Sequence, residues 1–107
     1  MRNGFIRVAA VSDVPAGKGR KVIVGNEEVA LWHVQDRFYA VSNVCAHQHV
    51  SALHIGILDG LTISCPMHGW TYSLETGRTA SGEGKVRVFK VVVEAGEIYV
   101  ENPDPAW

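Results

Sequence analysis

Two short stretches, Cys45-Ala46-His47 and Cys65-Pro66-Met67-His68, decide how this chain is interpreted. Each contains one cysteine and one histidine, and a seventeen-residue spacer separates the two stretches. Thiolates and imidazoles are both common metal ligands. Because the order along the chain is Cys, His, Cys, His, each stretch can give one thiolate to one metal ion and one imidazole to another. The pattern therefore favours a binuclear cluster over a single ion.

The spacing Cys-x-His followed by Cys-x-x-His, continued by Gly69-Trp70, resembles the Rieske iron–sulfur family, and the resemblance covers nearly the whole chain. It implies one [2Fe–2S] cluster, with the two cysteines on one iron and the two histidines on the other. The ligands implied are Cys45, His47, Cys65 and His68. The neighbouring residues expected to support the cluster or to face a partner are Pro66, Met67, Trp70 and Tyr72.

The remainder of the chain alternates β-branched and aromatic runs with turn residues, which predicts an all-β protein. Strands are expected at 5–8, 21–24, 28–34, 38–41, 61–64, 71–74, 86–93 and 97–101, with hairpin turns at Gly25-Asn26 and Glu94-Ala95-Gly96. No segment has sustained helical periodicity. We expect a Rieske-like antiparallel β-sandwich or barrel, in which loops at about 43–53 and 65–72 form a small cluster-binding subdomain. Residues 1–107 are expected to form a single domain.

Composition narrows the functional class. The net charge is −1, so the chain has no basic footprint for nucleic acid and no polybasic stretch for a membrane surface. The first residues contain no apolar signal core, and no stretch approaches the roughly 18 apolar residues that span a bilayer. These features favour a cytoplasmic protein without an anchor, unlike the membrane-bound Rieske subunits of respiratory complexes.

The cysteines and histidines also allow other interpretations. A disulfide between Cys45 and Cys65 would leave the paired histidines unexplained, and zinc, which also takes two cysteines and two histidines, usually has both cysteines before both histidines. His49 is expected to be a solvent-exposed loop residue, because the family pattern selects the histidine two residues after the cysteine. His54 is expected in the spacer and His33 on a strand, with neither bound to metal.

The mixture of thiolate and imidazole ligands determines the reduction potential that is expected. An oxidised cluster with two thiolates and two neutral imidazoles carries no net charge, so it accepts an electron more readily than a four-thiolate cluster. Rieske centres accordingly span roughly −150 to +300 mV. High-potential members also have a loop disulfide and a serine hydroxyl, and this chain has Val50 and Met67 at the disulfide positions and Trp70 at the serine position. The resemblance therefore implies a potential in the lower part of the range, with Tyr72 keeping one hydroxyl.

The expected function is electron transfer and not catalysis by the chain itself. A Rieske oxygenase needs a second domain with a mononuclear iron, and this chain is too short to contain one. The resemblance implies a ferredoxin that carries single electrons from an NAD(P)H-dependent flavin reductase to a terminal oxygenase of the aromatic-ring dioxygenase type. The alternatives are the small Rieske-like subunit of an assimilatory nitrite reductase and a zinc-stabilised binding module.

Charge is missing around the predicted site. No Asp, Glu, Lys or Arg occurs from Asn43 to Leu58 or from Cys65 to Leu74. Electron-transfer contacts are small and transient. We therefore expect the cluster end of the protein to dock on its partners through an uncharged surface.

Overall fold

A computed structural model of the chain describes residues 4–44, 53–66, 70–79, 82 and 84–102. The described residues form ten strands: β1 (Phe5–Ala10), β2 (Gly19–Val24), β3 (Glu27–Val34), β4 (Arg37–Ser42), β5 (Ile57–Asp59), β6 (Thr62–Ser64), β7 (Thr71–Ser73), β8 (Val88–Phe89), β9 (Val91–Glu94) and β10 (Glu97–Glu101). Their only helical elements are two short 3₁₀ turns, Val11–Asp13 and Leu53–Ile55. The predicted all-β class is confirmed.

The strands form three antiparallel sheets. Their strand orders are β1-β10-β9, β2-β3-β4-β8 and β5-β6-β7. The two-residue turn at Gly25-Asn26 joins β2 to β3, as the sequence predicts. The β5-β6-β7 sheet contains Ser64, the residue directly before Cys65, and is therefore the sheet that positions the second predicted ligand stretch.

Strand β3 lies at the centre of the molecule and is buried on both faces from Val29 to Trp32. Successive side chains of a strand point to opposite faces. Val29 and Leu31 pack in a core with residues of the β1-β10-β9 sheet, whereas Ala30 and Trp32 pack in a second core with residues of the β5-β6-β7 sheet. The β2-β3-β4-β8 sheet is thus the middle layer, and the second core supports the predicted cluster end.

Two predictions about strands need correction. The single strand expected at 86–93 is divided at Lys90 into β8, which pairs with β4, and β9, which pairs with β10. The sequence does not show this division, because β-branched and aromatic residues lie on both sides of Lys90 and no turn residue marks it. Strand β5 was not predicted, since Ile57–Asp59 is too short to show a periodic pattern.

In the turn between β9 and β10, the positive φ of Ala95 is a source of backbone strain that a substitution can test. Ala95 and Gly96 both have positive φ, 52° and 77°, as in the type I′ turns of tight hairpins. A left-handed conformation costs an alanine roughly 1–2 kcal/mol, and asparagine tolerates it better. Ala95→Asn should therefore raise the free energy of unfolding by roughly 0.5–1 kcal/mol in a urea titration. The matched change Ala16→Asn, at an exposed turn residue without positive φ, should give no such gain.

Candidate metal centre

The second predicted ligand stretch begins at the end of a β-hairpin. Strands β6 and β7 pair Ile63 with Tyr72 and Ser64 with Thr71. The backbone N–H of Cys65 then donates a hydrogen bond to the carbonyl oxygen of Trp70 at 2.8 Å. This bond closes the ladder, so Cys65 leaves the hairpin at a position that the two strands determine.

Cys65 lies in an apolar environment. Its exposed fraction is 1%, and it belongs to the same core cluster as Ile63, Tyr72 and Trp32. Ile63 and Cys65 are two residues apart, so the alternation of the strand directs both towards this core. A thiolate held there is protected from water and from exchange with external thiols, as a resident cluster requires.

The first predicted ligand stretch is attached to the core at both of its ends. Asn43 directly follows β4 and donates its backbone N–H to the carbonyl oxygen of Glu28 at 2.9 Å. Its own carbonyl oxygen accepts the N–H of Leu53 at 3.1 Å, and its side-chain Oδ1 accepts the N–H of His54 at 2.6 Å. The indole N–H of Trp32 donates to the carbonyl oxygen of Leu53 at 3.1 Å. The chain between Asn43 and Leu53 therefore starts and ends at one buried point.

Several of the predicted site residues cannot be placed by the structure. Cys45, His47, Met67 and His68 lie outside the described residues, as does His49. Within the described part of the chain, no three His, Cys, Asp or Glu side chains form a group that could hold a metal ion. Cys45, His47, Cys65 and His68 therefore stay predictions as ligands.

The described neighbours of the predicted ligands have different environments. Pro66 is exposed, whereas Trp70 is half-buried and packs against the core that contains Cys65. The Trp70 ring also covers Gly84, where a Cβ atom would lie only 2.9 Å from the ring. Tyr72 is completely buried. The position of Trp70 is thus explained by packing. Tyr72 belongs to the same core cluster as Cys65.

Two other histidines have local hydrogen bonds. His33 lies on β3, as predicted; its Nδ1 is 2.7 Å from the carbonyl oxygen of Val14, and its ring stacks on Phe38 with the centroids 4.1 Å apart. His54 lies in the second 3₁₀ turn, with its Nδ1 3.1 Å from Oδ1 of Asn43.

Asn43 was not singled out from the sequence. The one feature of the sequence that could have identified Asn43 is its place between a predicted strand and a predicted ligand stretch.

Comparisons with known proteins agree with this architecture. The Rieske [2Fe-2S] domain family matches residues 4–94. Ferredoxin CarAc of Metapseudomonas resinovorans is 40% identical over 103 residues, which cover 94% of this chain and 95% of that protein. A chain in the complex of reduced oxygenase and oxidized ferredoxin in carbazole 1,9a-dioxygenase superposes with a TM-score of 0.84 at 37% identity, covering 99% of this chain and 100% of that one. The ferredoxin of carbazole 1,9a-dioxygenase from Nocardioides aromaticivorans IC177 gives a TM-score of 0.86 at 30% identity, covering 92% and 98%.

The family match over residues 4–94, together with the three antiparallel sheets, defines an iron–sulfur domain of the all-β class. The chain belongs to the Rieske [2Fe–2S] family. Family membership implies one [2Fe–2S] cluster, as the sequence predicts, and disfavours the zinc-stabilised module. The residues present fit that group: the predicted donor set has two thiolates and two imidazoles, and Cys65 lies in a buried position at the end of the β6-β7 hairpin.

Tyr72 provides a test of how the core affects the cluster. If its hydroxyl donates a hydrogen bond to a cluster-ligating sulfur, it stabilises the more negative reduced state. Tyr72→Phe should then lower the midpoint potential measured by protein-film voltammetry. Tyr99→Phe, on β10 in a different sheet, is the matched control and should leave the potential unchanged. An unchanged potential in Tyr72→Phe would assign Tyr72 to packing alone.

Proposed function

We propose that this chain carries single electrons from an NAD(P)H-dependent flavin reductase to the terminal oxygenase of an aromatic-ring dioxygenase system. The observation that carries the proposal is the full-length likeness to stand-alone ferredoxins of such systems, one of them in complex with its oxygenase. The chain is then the electron-transfer component of a multicomponent enzyme and has no substrate site of its own. A nitrite reductase small subunit remains the alternative, and copurification with a large sirohaem subunit would support it.

In this proposal residues 1–107 act as one domain, and Cys45, His47, Cys65 and His68 hold the cluster. The bound cluster supplies reversible one-electron transfer. The protein fixes the ligands: the β6-β7 hairpin sets Cys65, and the hydrogen bonds around Asn43 set the base of the loop that contains Cys45 and His47. Ligands on rigid, well-supported elements keep their geometry when the charge of the site changes.

The surface next to the site supports transient docking through uncharged groups. Asp59 is the only Asp, Glu, Lys or Arg between Asn43 and Leu74. Ile55 and Ile57, two residues apart, are 64% and 67% exposed. Ile57 pairs directly with Ser64, the residue before Cys65, so its strand lies beside the strand that leads into the second predicted ligand stretch.

The partners and location follow from the same proposal. An NAD(P)H-dependent reductase draws on an intracellular reductant, so we place the protein in the cytoplasm. Neither nucleic acid nor a membrane is a proposed partner, since the net charge of −1 attracts neither phosphate backbones nor anionic lipids. Among the described residues, no helix is long and apolar enough to cross a membrane.

The metal content tests the proposed ligands. Purified protein should be red-brown and contain about two irons and two acid-labile sulfides per chain. Cys45→Ala and Cys65→Ala should each abolish both, because each removes one of the two thiolates that bind the same iron. Stoichiometric zinc without sulfide would contradict the assignment and restore the zinc module.

Docking is tested by the rate of electron transfer to the oxygenase in stopped-flow experiments. A carboxylate placed in an apolar contact loses its hydration, so Ile57→Glu should slow transfer about tenfold, which corresponds to about 1.4 kcal/mol. Val93→Glu, at another exposed apolar residue on the outer strand β9, should have little effect. A charged residue at Met67 or Trp70 should also impair transfer, although Trp70 additionally contributes to packing.

The salt dependence of the same reaction separates apolar docking from electrostatic steering. Contacts without charge are weakly screened, so the rate for the unmodified protein should fall only modestly between low and physiological salt. Rates that collapse as salt rises, together with a tolerated Ile57→Glu, would place the docking surface elsewhere.

A further inference from the structure

The two faces of the β5-β6-β7 sheet differ in chemistry. Ile63 and Tyr72 pair with each other across the sheet and are completely buried in the core. Because successive side chains of a strand point to opposite faces, the residues next to them belong to the outer face. On β6 and β7 these residues have small hydroxyl side chains: Thr62, Ser64, Thr71 and Ser73. The middle of the outer face is therefore polar but uncharged.

Two cations extend this outer face beyond β7. The buried Thr79 pairs with Tyr72, and the backbone N–H of Ser73 donates a hydrogen bond to the carbonyl oxygen of Arg78 at 2.9 Å. Arg78 therefore lies beside Ser73 and points to the outer face. Arg78 in turn pairs with Lys85, so the two basic side chains lie next to each other on that face. Both are exposed.

The fold does not neutralise this pair of positive charges. Like charges that lie directly opposite each other in neighbouring strands are destabilising. Neither Arg78 nor Lys85 has an ion-pair partner among the described residues. Arg87, exposed two residues after Lys85, adds a third cation, and its guanidinium lies 5.2 Å from the centroid of the Phe89 ring. An exposed basic edge of this kind is complementary to a partner surface that carries carboxylates.

The basic edge is close to the second predicted ligand stretch. Gly84, directly before Lys85, packs so closely against the ring of Trp70 that a Cβ atom there would lie 2.9 Å from it. The carbonyl oxygen of Trp70 accepts the backbone N–H of Cys65 at 2.8 Å. A protein that docks on this edge is therefore beside the hairpin that leads to Cys65.

The basic edge is also separate from the apolar edge of the same face. Four strand spacings lie between β5, which carries Ile57, and Lys85. Neighbouring strands are ~4.8 Å apart, so the two edges are separated by roughly 19 Å. Electron-transfer contacts are small. One contact can therefore use the apolar edge and another the basic edge.

We propose that Arg78 and Lys85, together with Arg87, form the docking surface for the electron donor, and that the flavin reductase presents carboxylates to it. The inference rests on the proposed function, which supplies that reductase. The contact with the oxygenase is assigned to the uncharged edge that carries Ile57, which leaves the basic edge for the donor. Opposite charges speed the encounter of the two proteins, and a small contact allows the reduced carrier to leave.

Charge reversal separates docking from a structural role. Arg78→Glu places a carboxylate opposite Lys85, so a repulsive pair becomes an attractive one. This variant should gain stability in a urea titration and yet accept electrons from the reductase more slowly. A purely structural role for Arg78 would move both measurements in the same direction. Arg20→Glu, an exposed cation on β2 in the middle sheet, is the matched control.

The experiment follows reduction of the purified, cluster-containing protein by the reductase and NAD(P)H in stopped-flow. The double variant Arg78→Glu/Lys85→Glu should be reduced about tenfold more slowly at low salt, and the difference should disappear at high salt. Arg20→Glu should behave as the unmodified protein. Transfer from the double variant to the oxygenase should keep its rate.

Two small flavins report on the same surface without the reductase. FMN and riboflavin have the same ring system, and only FMN carries a phosphate. Their semiquinones, generated by a light flash, reduce the protein directly. At low salt the ratio of the FMN rate to the riboflavin rate should be higher for the unmodified protein than for Arg78→Glu/Lys85→Glu, because only the anionic flavin is attracted to the basic edge.

The outcomes distinguish this inference from the proposed function. A double variant that the reductase reduces at the unmodified rate at low salt would overturn the docking surface and leave the electron carrier intact. Slower transfer to the oxygenase, with reduction by the reductase unchanged, would assign the basic edge to the oxygenase and also overturn the proposal. Unmodified protein that holds a full cluster but accepts no electrons from a flavin reductase would contradict the proposed function itself.

Discussion

The burial of β3 on both faces is the constraint on which the rest of the structure depends. Its alternating side chains contribute to two cores, so a change in its register would exchange the residues that face the outer sheet and the cluster end. The same strand supplies the indole of Trp32 and the carbonyl of Glu28, which hold Leu53 and Asn43. The residues at the two ends of the first ligand loop are thus held by a strand that is buried on both faces.

A binuclear site whose ligands come from two stretches that are distant in the sequence needs a separate structural support for each stretch. Cys65 is held by a short hairpin whose last ladder bond is to Trp70, and the first loop is held by a hydrogen-bond network around Asn43. Both supports contact the same core, which contains Leu53, Ile63 and Tyr72. Apolar packing in this core therefore holds the two supports in place relative to each other.

Sequence reasoning was most successful where residue chemistry is restrictive. Two cysteines and two histidines at this spacing suit few sites, and the family they indicate is confirmed, as are the all-β class and the turn at Gly25-Asn26. The division of 86–93 at Lys90 was missed, because strand-forming residues lie on both sides of Lys90 and no turn residue marks the change of sheet. Asn43 was also missed: its importance comes from Leu53 and His54, which only the folded chain brings to it.

The central claim is that one iron–sulfur cluster takes one thiolate and one imidazole from each of two loops. Pulsed EPR on reduced protein with ¹⁵N-labelled histidine tests it most directly, because only nitrogen bound to iron couples strongly to the cluster spin. The account predicts strong couplings from two histidines, with one set lost in His47→Cys and the other in His68→Cys, and none lost in His54→Gln. Strong coupling from fewer than two histidines, or from His54, would contradict it.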